Sequence, residues 1–182
     1  MVKRILTAGV LGGVTMFIVM AAGHISPFGM TGINFLPREI LITETLASGA
    51  GQREGLYVFP ADPEAPASVP SGFMVLYPDN VMRMTAAQPL AECLKDIAQA
   101  LLLAFLMAQM AGDGFARRLL FAGGAGLMVV LTTHGSYVIW YHFPMDFALA
   151  DAAISLAGYL TAGAVIAALL PRRRTQAELA AA

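Results

Sequence analysis

The chain has 182 residues, 58% of them hydrophobic and 13% charged, with a formal net charge of −1. Soluble domains are about half apolar and a quarter charged, so this balance and a mean hydropathy of +0.69 point to a membrane. Near-neutrality without a basic patch argues against a nucleic-acid partner, and the single cysteine, Cys93, excludes an intrachain disulfide and a cysteine-based zinc site.

Crossing the hydrocarbon takes about 20 apolar residues. Ile5–Gly23 meets that length, and residues 1–23 read as the first transmembrane helix. MVKR followed by an apolar run and VMAAG also resembles a signal peptide. The run is long for that role, so it reads as an uncleaved anchor.

Residues 24–88 differ in kind, being broken by prolines and glycines. PREILITETLASG (37–49) has a proline near its start, apolar Ile40, Leu41 and Leu46, and Gly49 as a stop, which predicts a short amphipathic helix near the membrane surface. GLYVFP (55–60) and GFMVLYP (72–78) are short aromatic and β-branched runs that predict a β-hairpin. A lone hairpin is marginal in water and needs a surface to lie on. That surface is either the ends of the chain's own helices or a partner protein.

The second span, 89–111, has a short apolar centre, AQALLLAFLMAQM, and opens with Pro89, whose missing N–H is harmless at a helix start. Glu92, Lys95 and Asp96 then fall in its first turns, at headgroup level. Residues 119–142 and 147–170 are the third and fourth spans, and 171–182 form a tail. Lys3, Arg4, Arg117, Arg118, Arg172, Arg173 and Arg174 all lie on one side of this arrangement, whereas 24–88 holds six acids against three arginines. The positive-inside rule makes the basic side cytoplasmic, with both termini there and 24–88 outside a bacterial inner membrane. Arg117, Arg118 and Arg172–Arg174 read as anchors to lipid headgroups.

Helices in lipid associate through small residues. Gly9, Gly12 and Gly13 in span one, Gly123, Gly124 and Gly126 in span three, and Ala153, Ala157, Gly158 and Ala162 in span four suit a compact bundle.

Ionisable groups inside a membrane are the default place to look for function. His24, His134, His142, Asp146 and Asp151 all fall in the external half. With about 1.5 Å of rise per helical residue, His134 lies roughly 10 Å below Tyr141 and Asp151 roughly 7 Å into span four. The two can meet across neighbouring helices, with Tyr137 one turn above His134. Such a pair serves either as a structural clamp or as part of an outer-leaflet site for a cofactor or small molecule built on His134, Tyr137 and Asp151. Haem between His134 and His142 is excluded because they share a helix; His24 with His142 is the remaining pair. Trp140, Tyr141 and His142 form an interfacial belt. No GxSxG, HExxH, Walker or DxD pattern is present.

The expected architecture is an all-α integral membrane protein of four transmembrane helices, with a short amphipathic helix and a β-hairpin outside between helices one and two. The expected function is a non-catalytic accessory or assembly subunit of a larger photosynthetic or respiratory complex, whose partners are the bilayer and other membrane subunits. The alternatives are a protein that binds haem, pigment or lipid at the outer-leaflet site, or a lipid-modifying enzyme or transporter acting there.

Overall fold

The computed structural model describes residues 1–49, 53–77, 84–110 and 114–171. Arg172, Arg173 and Arg174 lie outside the described residues, as does Ala111 at the expected end of span two. The chain divides into two units, residues 1–32 with 86 onward, and residues 33–85.

The first unit is helical. α1 runs Val2–Ile25, α3 Ala87–Ala108 and α6 Met145–Leu169. Between α3 and α6 a single rod is built from α4 (Phe115–Val130), a π-helical turn (Leu131–Gly135) and α5 (Ser136–Tyr141). α1, the whole rod Phe115–Tyr141 and α6 are each long and apolar enough to cross a membrane. α3 matches them in length but not in composition, because every 18-residue stretch of it contains Glu92, Lys95 and Asp96. Pro89 is the third residue of α3 rather than the first. It still falls within the first turn, where N–H groups have no helical partner to lose.

α6 is the central helix, packed on α1 along one side and α4 along another, and α1 also packs on α3. The glycines explain these pairings. A Cβ on Gly9 would stand 2.8 Å from the Cα of Leu101, and one on Gly13 would collide with the Cα of Ile97. Gly12 faces Ile166 on α6, and a Cβ on Gly126 of α4 would stand 2.7 Å from that of Tyr159. Gly163, which the sequence reading passes over, abuts the side chain of Ala122. The buried cluster is built largely from small and flexible residues: Ala8, Ala100, Leu103, Ala104, Met107, Ala122 and Ile166. Side chains this small bring helix axes close enough for dispersion contacts to hold them without a hydrophobic drive.

The second unit holds α2 (Glu39–Gly49) and a two-stranded antiparallel sheet of β1 (Gly55–Phe59) and β2 (Gly72–Leu76). Tyr57 pairs with Met74 and Val58 with Phe73, the hairpin expected from the two Gly-bounded runs. None of the described residues between 33 and 85 is buried.

Candidate functional site

At the end of the helical unit where α1 and α5 finish and α3 and α6 begin, one carboxylate stands between two histidines. His24 occupies the last turn of α1, where carbonyl groups lack helical donors, and its Nδ1 lies 2.8 Å from the Met20 carbonyl. Its Nε2 lies 2.8 Å from Asp151 Oδ1. The second carboxylate oxygen, Oδ2, lies 2.8 Å from Nε2 of His134. Asp151 thus ties α1 and the rod to α6.

His134 reaches this position from the π-helical turn Leu131–Gly135. A π turn holds more residues than an α turn and so changes the direction in which its side chains leave the helix; such turns recur at functional sites. His134 is 6% exposed, whereas its rod neighbours Leu131 and Ile139 are 63% and 68% exposed. Its Nδ1 is buried without a hydrogen-bond partner.

Hydrogen-bond accounting assigns the protons. A carbonyl only accepts, so His24 Nδ1–H donates to Met20. A carboxylate also only accepts, so the contact between His24 Nε2 and Asp151 Oδ1 holds a further proton. His134 Nε2–H donates to Oδ2, and its buried Nδ1 has no partner. Both carboxylate oxygens are engaged by histidines on opposite sides. Neither Ser136 nor Ser155 hydrogen-bonds to a histidine among the described residues. Nor, among the described residues, do three or more His, Cys, Asp or Glu side chains converge to hold a metal ion. The arrangement fits an interhelical clamp.

No protein-family model matches the chain, and no curated protein or solved structure matches it either.

Tyr137 stands apart from the clamp. Its ring packs 5.0 Å from Phe143 and 6.0 Å from Tyr141, and Phe143 in turn lies 5.7 Å from Phe147 at the start of α6. The tyrosine therefore belongs to an aromatic seam closing the turn between α5 and α6. His142 terminates α5 in the left-handed region, at φ 53°, and is exposed; Phe143 N–H donates to the Tyr137 carbonyl in the manner of a helix C-cap. The histidine that shares a partner with His134 is thus His24, and not His142.

Two charged groups are buried where the sequence reading places them at headgroup level. Asp96 is fully buried, and neither carboxylate oxygen has a hydrogen bond. Lys95 Nζ stands 3.1 Å from its Oδ1, an ion-pair distance without hydrogen-bond alignment, and also pairs with Glu92. The cause of the burial is α1: with no side chain on Gly13, the α3 backbone at Asp96 and Ile97 presses against it. The spacing that signals this is Asp96, Ala100, Leu103 and Met107, one helix face, all of it buried.

Arg118 is the second such group. It is buried, and Nη1–H donates to the Leu170 carbonyl at 2.8 Å and Nη2–H to that of Pro171 at 3.1 Å. Its terminal nitrogens satisfy the open end of α6 instead of reaching outward to headgroups, as a cation near a helix C-terminus is placed to do. Arg117 is exposed.

Proposed function

We propose that the protein is a non-catalytic accessory or assembly subunit of a larger bacterial membrane complex. In this reading α3 joins the three apolar helices to make four crossings of the cytoplasmic membrane. Both termini are cytoplasmic, the unit 33–85 is external, and Arg117 anchors to headgroups while Trp140, Tyr141 and His142 form the interfacial belt.

The observation that carries the reading is the composition of the external unit. None of its described residues is buried, yet Ile40, Val58 and Leu56 are 75%, 69% and 61% exposed. A two-stranded hairpin and a short helix do not hold apolar side chains in water unaided. A surface that covers them supplies the missing burial, and a partner subunit is such a surface.

A photo-crosslinking residue at Val58, introduced into the full chain in its native membrane, tests this. A discrete heavier adduct of defined mass is expected, and deleting 55–76 releases the partner. If Val58 yields no intermolecular adduct, and the protein in mild detergent has the mass of one chain, the reading fails.

The buried Nδ1 of His134 favours one other reading, in which a cofactor or small molecule is held at His134, Tyr137 and Asp151. The purified protein would then carry an absorbance or an extractable compound that His134→Ala loses.

A further inference from the structure

α3 and the rod diverge, and the space between them is an apolar cleft of about 610 Å³ opening at the side of the helical unit. Leu102 and Leu106 on α3 and Phe121, Met128 and Val129 on α4 form its walls. Gln99, Tyr159 and Thr132 are its polar atoms. Their hydrogen bonds decide what the cleft can take. Thr132 donates to the Met128 carbonyl of its own helix, and Tyr159 Oη–H donates to Gln99 Oε1 at 3.0 Å. That bond holds the glutamine in place. Its amide N–H2 has no acceptor among the described residues.

With the helices set in a bilayer, the reading proposed above, this donor lies one turn of α3 beyond Lys95, on the hydrocarbon side. Gln99 stands about 6 Å of helix from Lys95 and about 14 Å from Ala108. An amide left unpaired in hydrocarbon costs several kcal/mol on simple transfer scales, so it calls for an acceptor. A neighbouring transmembrane helix has its backbone carbonyls already bonded within itself and accepts only where it presents a polar side chain at this depth. The volume falls in the range of small-molecule sites, about 300–1,000 Å³, and the lining has their usual character, apolar walls with a few fixed polar groups.

The geometry points to a binding site for a slender, lipid-soluble molecule that bears a neutral carbonyl, its apolar body between α3 and α4 and its carbonyl accepting from the Gln99 amide. Gly124 makes the assignment testable without disturbing the fold. It lines the cleft, and a Cβ built there meets no atom within 4 Å, so Gly124→Leu fills ligand space rather than helix-packing space.

The probe is decylbenzoquinone, with dodecylbenzene as a control of similar size lacking carbonyls, and binding to the purified full chain in detergent is measured by equilibrium dialysis. The quinone is expected to bind with 1:1 stoichiometry and more tightly than the hydrocarbon. Gln99→Leu weakens it about tenfold, the equivalent of one hydrogen bond, without changing hydrocarbon binding. Gly124→Leu abolishes both. Absence of quinone binding, equal affinity for the two probes, or an unchanged affinity in Gln99→Leu would each overturn the proposal. Carbonate extraction of native membranes decides the bilayer reading separately: release of the chain refutes that reading, whatever the dialysis shows.

Discussion

Asp151 accepts from His134 through one oxygen and shares a proton with His24 through the other. The two halves are not equal. His134 is buried, whereas the His24 side chain is 47% exposed and has water as an alternative partner. Hydrogen bonds between membrane helices contribute about 0.6 kcal/mol on average and up to about 1.7. Asp151→Leu removes two of them and leaves a buried imidazole unpaired, so it destabilises the protein by about 1–3 kcal/mol. His24→Ala costs less than His134→Ala for the same reason. Equilibrium unfolding of the three variants in mixed micelles measures the order; a His24→Ala loss equal to that of Asp151→Leu would refute it. At this scale the sequence pointed to the pair His134–Asp151 from depth alone. It did not pair His24 with Asp151, since that contact depends on how α1 is rotated about its axis, which hydropathy does not report.

Helix pairing is decided by where backbone meets backbone. Gly13 lies against the Cα of Ile97, so any side chain there has to push α1 from α3, and the obstacle is main chain, which cannot swing aside. Gly13→Leu therefore costs about 3 kcal/mol or more, the upper end of overpacking penalties. Gly124→Ala, facing open space, is neutral or stabilises by up to about 1 kcal/mol through helix propensity. Thermal unfolding of both in the same detergent separates them. Gly9, Gly12, Gly13, Gly126 and Gly158 were visible in the sequence as small residues at helical spacing, whereas Gly124 and Ala153 of the same runs face outward. Gly163 was not, since nothing in its neighbourhood distinguishes a packing glycine from a tolerated one. The π turn at Leu131–Gly135, which carries His134 to Asp151 on α6, left no sequence signal either.

For the whole molecule, the proposed topology predicts which sites face which compartment. A cysteine replacing Arg117 is labelled by a membrane-impermeant maleimide only after permeabilisation, and one replacing Glu64 is labelled in intact cells, both in a Cys93→Ser background. Reactivity of the Arg117 position from outside would reverse the orientation. Three apolar helices and a hairpin were legible from the sequence by length, periodicity and turn residues, because each of those signals is local. α3 is the element where local signals conflict: its charges argue against a crossing, and its buried stripe from Asp96 to Met107 places it in the bundle. What the chain decided by itself was composition and order, namely which segments are apolar, which break, and where the arginines fall. Tertiary structure alone decided that Asp96 is buried against Gly13, that Arg118 closes α6, that His24 joins Asp151, and that a cleft opens between α3 and α4. Each of those depends on neighbours distant in sequence and on helix rotation, which close packing sets one contact at a time.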